Sequence, residues 1–144
     1  MLGQRLALVA DLFFCIKELI NLYEIEVRAA FEAAHFIRGY EGKCARLHGH
    51  NWEVIAVVHG TELDKLGMLI DFKVLKAELK KVLDEFDHRF LNELETFAAE
   101  NPTAENLART IYKLLGKSEI FNGAVKLYAV KVQETPNSCV TYHE

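Results

Sequence analysis

Two histidines one residue apart, in Leu47-His48-Gly49-His50, have the types and spacing for metal chemistry. In extended chain, residues i and i+2 point to the same face, so both imidazoles can reach one ion. His35 ends an alternating run that precedes a polar loop. If the segments on either side of that loop pair as a hairpin, His35 comes opposite His48 and His50. Three imidazoles leave one position of a tetrahedral Zn2+ open, as in catalytic rather than closed structural sites. The competing reading is a polar turn and a strand-end histidine that is satisfied internally.

Three further features could do chemistry on the same terms. Cys44 lies four residues before His48, between Lys43 and Arg46. Nearby positive charge favours a thiolate and hence base or nucleophile chemistry, whereas a lone cysteine elsewhere serves as a small buried hydrophobe. Cys15 and Cys139 sit in apolar, periodic segments and are expected to pack. In Asp87-His88 a carboxylate can fix the imidazole tautomer and make a proton shuttle; the alternative is a helix-end pair acting as cap and dipole partner. Glu134, just before Thr135-Pro136, is either one more surface glutamate at a turn or a carboxylate that accepts two parallel N–H bonds from an amino-pyrimidinone edge.

The elements that must position these groups follow from periodicity. Leu2, Leu6, Val9, Phe13, Ile16 and Ile20 keep helical spacing, so residues 1–22 read as an amphipathic helical extension ahead of a domain over 23–144. From Tyr23 the period becomes two, with Ile25, Val27, Ala29 and Phe31 opposite Glu24, Glu26 and Arg28. A second strand carries Trp52, Val54, Ala56 and Val58 on one face. Asp71 is a plausible N-cap for a helix through Phe72, Leu75, Leu79, Val82, Leu83 and Phe86. Pro102-Thr103 announces a second helix with Leu107, Ile111, Leu114 and Leu115 inward and Gly116 ending it. Val125 to Val132 and Cys139 to Tyr142 read as two last strands joined across Pro136-Asn137. The order strand, strand, helix, helix, strand, strand predicts an α+β domain, a four-stranded antiparallel sheet with both helices on one face.

Composition narrows the partners. The chain has 144 residues, 51% hydrophobic and 26% charged, with formal net charge −4. That suits one folded domain with a real core and argues against a general nucleic-acid binder, which needs a basic surface. The apolar run Leu6–Ile16 contains Asp11 and is too short to span a bilayer, so no membrane role is expected. Three cysteines without a CxxC exclude a disulfide framework and point to the reducing cytoplasm.

Taken in order, Phe31-x-Ala33-Ala34-His35, Lys43-Cys44-x3-His48-Gly49-His50-Asn51, Gly67-Met68-x2-Asp71-Phe72, Asp87-His88-x2-Leu91-Asn92, Asn101-Pro102-Thr103-x-Glu105-Asn106 and Glu134-Thr135 resemble the 6-pyruvoyl-tetrahydropterin synthase / 6-carboxytetrahydropterin synthase family. The match runs from about Tyr23 to the C-terminus; the first twenty or so residues depart from it. The resemblance implies a tunnelling fold, assembled as a homohexamer (a dimer of trimers) with sites at subunit boundaries. It implies Zn2+ on His35, His48 and His50, Cys44 as catalytic base, and Asp87 with His88 as a relay supplied by a neighbouring subunit. Glu134 would anchor the pterin ring. Beyond the resemblance, Lys43 or Arg46 is expected to meet the phosphates of an anionic substrate, and Thr103 is a further candidate substrate contact. The substrate class is 7,8-dihydroneopterin triphosphate. The Cys-x3-His spacing looks like the bacterial carboxy-forming lyases of queuosine biosynthesis, whereas the animal pyruvoyl enzymes have two more residues in this loop. The alternatives are the pyruvoyl reaction and a zinc-holding oligomeric protein without turnover.

Overall fold

The computed structural model describes residues 21–144. The expected N-terminal helix and Cys15 lie outside the described residues. Five strands form one sheet: β1 (Tyr23–His35), β2 (His48–Gly60), β3 (Arg89–Phe90), β4 (Lys126–Thr135) and β5 (Ser138–Tyr142), in the order β3-β1-β2-β4-β5. Helices α1 (Phe72–Leu83) and α2 (Ala104–Leu115) complete the fold. α1 packs on β1, and α2 on β4 and β5.

The alternation of β1 and β2 sets the two faces. Val27, Phe31, Ala33 and His35 are buried toward the helices, while Glu24, Arg28 and Glu32 are exposed on the other face. β2 is central and antiparallel to β1, with Phe31 opposite Trp52, Ala33 opposite His50 and His35 opposite His48. The hairpin expected from sequence therefore forms, and its register puts the three histidines on the helix-facing side. The other face is not wholly wet. Ile55, Val57 and Ala129 are buried there as a small separate cluster, beneath the Arg28–Glu53 and Lys131–Glu26 ion pairs.

Both helices begin where side-chain caps were expected. The Asp71 carboxylate accepts the Lys73 N–H at 2.7 Å, and the Thr103 hydroxyl accepts the Asn106 N–H at 3.3 Å. Leu75, Leu79 and Leu83 of α1 and Leu107, Ile111 and Leu115 of α2 fill the core. Each such side chain contributes about 1.5–3 kcal/mol on leaving water.

Two expectations are corrected. The sheet has five strands rather than four, because Arg89–Phe90 pairs parallel with Ala33–Ala34 of β1. A two-residue strand is too short to leave any period in the sequence. Cys139 does not pack: it is exposed, because β5 is an edge strand whose inward positions are Val140 and Tyr142.

Candidate metal centre and active site

The end of the β1–β2 hairpin gathers His35, His48, His50 and Glu134, whose potential ligand atoms all lie within 4.8 Å of one another. Trp52 forms the floor. It stacks on Phe31 in the core at 6.1 Å and meets the rings of His35 and His50 edge-on, each at 5.1 Å. Its indole N–H donates to the Ala33 carbonyl at 3.3 Å, so this large side chain is fixed at both its apolar and its polar end.

Backbone carbonyls determine which imidazole nitrogens are free. His35 Nδ1 is 2.7 Å from the Pro102 carbonyl oxygen, and His48 Nδ1 is 2.7 Å from that of Arg46. A carbonyl only accepts, so each Nδ1 carries the proton and each Nε2 keeps its lone pair for a metal. The Nε2 atoms of His35 and His50 are buried without a hydrogen-bond partner. A buried nitrogen left unbonded is costly, and a divalent ion is the partner that suits a cluster of neutral imidazoles. Burial pushes both imidazoles below their ordinary value, and the neighbouring histidines push the same way. The residues present fit a zinc ion.

Glu134 projects from the end of β4 with Oε1 at 3.0 Å from His50 Nε2 and 3.3 Å from His35 Nε2, close contacts that form no hydrogen bond. It is therefore no ordinary surface glutamate at a turn. Its carboxylate borders the imidazoles and is partly open to solvent.

A frame of non-local hydrogen bonds holds the chain beyond β1. The Asn92 carboxamide accepts the Phe36 N–H and donates to the Phe36 carbonyl, both at 2.9 Å. Asn101 does the same for Arg38, at 2.8 and 3.1 Å. The Arg38 guanidinium donates to the carbonyls of Asn92, Phe97 and Glu100. These contacts seat the loop that carries Pro102 against His35. Asn92 and Asn101 belong to the sequence motifs quoted above, which give them no role, and no sequence signal marks Arg38.

Cys44 and Lys43 occupy a short turn of 3-10 helix, Lys43–Ala45, in the β1–β2 loop, both exposed. The Cys44 carbonyl accepts the Ile37 N–H at 2.8 Å, which ties the turn to the end of β1. The Thr103 hydroxyl is engaged in capping α2.

Asp87 and His88 do pair, with Asp87 Oδ2 3.0 Å from His88 Nδ1. The Glu32 N–H donates to Asp87 Oδ1 at 2.9 Å, and this bond, with His88 beside it, holds the carboxyl below its usual value. The hydrogen bond to Asp87 raises His88 above its ordinary value. Both lie beside Glu32, on the face of β1 opposite His35. Within one chain the dyad therefore does not join the histidine cluster.

Among known proteins, residues 24–144 match the family model described as 6-pyruvoyl tetrahydropterin synthase. The 6-carboxy-5,6,7,8-tetrahydropterin synthase of Bacillus subtilis (strain 168) is 37% identical over 126 residues, covering 83% of this chain and 84% of its own. Its namesake from Synechocystis sp. is 37% identical over 118 residues, covering 78% of this chain and 87% of its own. The structure of Caenorhabditis elegans 6-pyruvoyl tetrahydropterin synthase has a TM-score of 0.74 at 30% identity and covers 87% of this chain and 97% of that one.

Proposed function

Because the chain belongs to the 6-pyruvoyl tetrahydropterin synthase family, we propose that it converts 7,8-dihydroneopterin triphosphate to 6-carboxy-5,6,7,8-tetrahydropterin, acetaldehyde and triphosphate. The observation that carries this reading is the convergence of three imidazoles, two with Nδ1 bonded to carbonyls, in a chain whose relatives bear that synthase name. His35, His48 and His50 would hold one Zn2+, which when bound polarises ligand oxygens and acidifies neighbouring C–H bonds.

The chain's own residues supply the proton transfers. Cys44, on the exposed turn ahead of His48, removes a proton from the substrate side chain. His88 exchanges a second proton through Nε2, because Nδ1 is committed to Asp87. Since the dyad lies on the other face of β1 from His35, it serves the site of a neighbouring copy, in a hexamer built as a dimer of trimers. Glu134 accepts the amino and ring N–H groups of the pterin. Lys43, exposed on the same turn, meets the triphosphate, and Thr103 contributes a further substrate contact. The exposed, unpaired Cys44 and Cys139 suit a reducing cytoplasm.

The test is to incubate the zinc-loaded protein with 7,8-dihydroneopterin triphosphate and identify the products by mass. Carboxytetrahydropterin with acetaldehyde supports the reading. The pyruvoyl reaction is the second reading, favoured by the likeness to the Caenorhabditis elegans structure, and it gives 6-pyruvoyl-tetrahydropterin without acetaldehyde. No product at all leaves a zinc-holding protein without turnover.

A further inference from the structure

Glu32 touches the Asp87–His88 dyad at three points. Its main-chain N–H donates to Asp87 Oδ1 at 2.9 Å. Its carbonyl accepts the main-chain N–H of His88 at 2.6 Å. Its own carboxylate stands 3.6 Å from His88 Nε2. Each of these does something different. The first bond fixes one Asp87 oxygen, so the other is directed at His88 Nδ1. The second seizes the His88 backbone, which has φ 56, the only non-glycine residue in the left-handed region among the described residues. A histidine in that region costs free energy, and the bonds to Glu32 are what hold it there. The third places a second carboxylate on the side of the imidazole that Asp87 does not reach. The ring thus lies between two acids, one facing each nitrogen.

We propose that Glu32 is a positioning residue for the dyad: its backbone sets Asp87 and His88 in place, and its carboxylate, facing Nε2, holds the protonated His88 ring at the edge of the open cleft where a proton would be delivered. That cleft, of about 480 Å3, is lined by Glu32, His88 and Arg89 together with Gly49, His50 and Asn51 of β2. The proposal rests on the relay reading of Asp87 and His88 given above, and deepens it by naming what orients the relay. Sequence alone hides this, because Glu32 reads as one more outward glutamate on a strand with a wet face.

The charges around His88 fix the sign of the expected effect. Asp87 and Glu32 both favour the imidazolium. From α1, Lys80 acts on Asp87, and is itself paired with Asp84 at 2.7 Å. At 3.6 Å and in an exposed setting, the Glu32 carboxylate acts by charge rather than by a formed hydrogen bond, so its effect is smaller than that of Asp87.

Glu32→Gln keeps the size and both backbone bonds and removes only the charge. The assembled enzyme, labelled in its histidine rings, is titrated by NMR alongside wild type and Asp87→Asn, and the pH profile of turnover is recorded for each. The expected result is that His88 titrates at lower pH in Glu32→Gln, and lower still in Asp87→Asn. The His88 limb of the profile should move the same way, with zinc content unchanged. A His88 titration in Glu32→Gln identical to wild type overturns the proposal, whatever happens to activity. His88→Ala separates the two readings. If that variant turns over normally, the relay reading falls, and the claim that Glu32 orients a proton donor falls with it even if the titration moves. If that variant is inactive and the titration and profile shift together, the proposal stands.

Discussion

His35 Nδ1 and the carbonyl oxygen of Pro102 lie 2.7 Å apart, joining the last residue of β1 to the loop that opens α2, 67 residues away in sequence. One bond therefore does two jobs. It fixes the proton of a buried imidazole on Nδ1, and it makes the Asn101-Pro102-Thr103 turn the outer support of the histidine cluster. Asn101 reinforces the link by bonding both backbone groups of Arg38. Histidine ligands supported in this way present a lone pair in one fixed direction, which raises metal affinity.

The first expectation concerns that site. Protein purified without added metal should carry close to one zinc per chain by elemental analysis. His48, half-buried at the mouth of the site, can be shortened to alanine without opening the core. His48→Ala should retain the far-ultraviolet circular dichroism of wild type and lose most of its zinc. Full zinc retention in that variant would mean that the ligand set is wrong.

Cys44 is exposed, on a turn with no buried residue, so Cys44→Ala should leave folding, zinc and substrate binding at wild-type levels. Turnover should drop by about two orders of magnitude or more, as expected when a proton-transfer group is removed. Steady-state kinetics beside a binding isotherm separate the two effects. Near-normal turnover would hand the base role to another group.

The histidine face was legible in the sequence because it depends only on local geometry: His48 and His50 are two residues apart in extended chain, and strand pairing brings His35 opposite. The helices were legible because Asp71 and Thr103 are caps followed by apolar residues at helical spacing. What stayed hidden depends on groups far apart in the chain. Arg38 meets carbonyls 54 to 62 residues away, and nothing near Arg38 announces it. β3 exists because His88 turns the chain in the left-handed region and delivers Arg89 and Phe90 alongside β1, a tertiary event without a sequence period. Cys139 looked apolar in context, but edge position decides exposure, and that is a property of the sheet.

Asp87 and His88 should leave a signature in stability against pH. Asp87 is held below its ordinary value of 3.8 and His88 above its ordinary value of 6.5. A depressed acid contributes above its unfolded value and loses that contribution as pH falls through the folded one. A raised base contributes fully below its unfolded value and loses that contribution as pH rises through the folded one. The stability that wild type gains over Asp87→Asn should therefore be greatest between 3.8 and 6.5, and shrink on the alkaline side once His88 is neutral. The gain is modest because both side chains are solvent-exposed. Denaturant unfolding at matched protein concentration across the pH range checks it; a gap that keeps growing above neutral pH would show that the pair is not an ion pair.

Glu134 separates a pterin enzyme from other uses of the same histidines. Its carboxylate borders His35 and His50 at 3.3 and 3.0 Å, close enough to serve either a metal or a ligand seated beside one. Three imidazoles already satisfy an open catalytic zinc site, which leaves the carboxylate for the substrate. A pterin presents an amino group and a ring N–H side by side, and a carboxylate accepts both at once. Glutamine preserves the size but sets an N–H2 donor against one of those donors, and loses a charge-assisted bond. Binding of a pterin to Glu134→Gln should weaken by roughly 2–4 kcal/mol. Zinc content should hold, because the three histidines remain. Measured side by side, a loss of zinc together with pterin affinity would make Glu134 a fourth metal ligand. Wild-type values for both would place the pterin elsewhere. Only weakened pterin binding on a fully zinc-loaded protein fits a carboxylate that reads the ring.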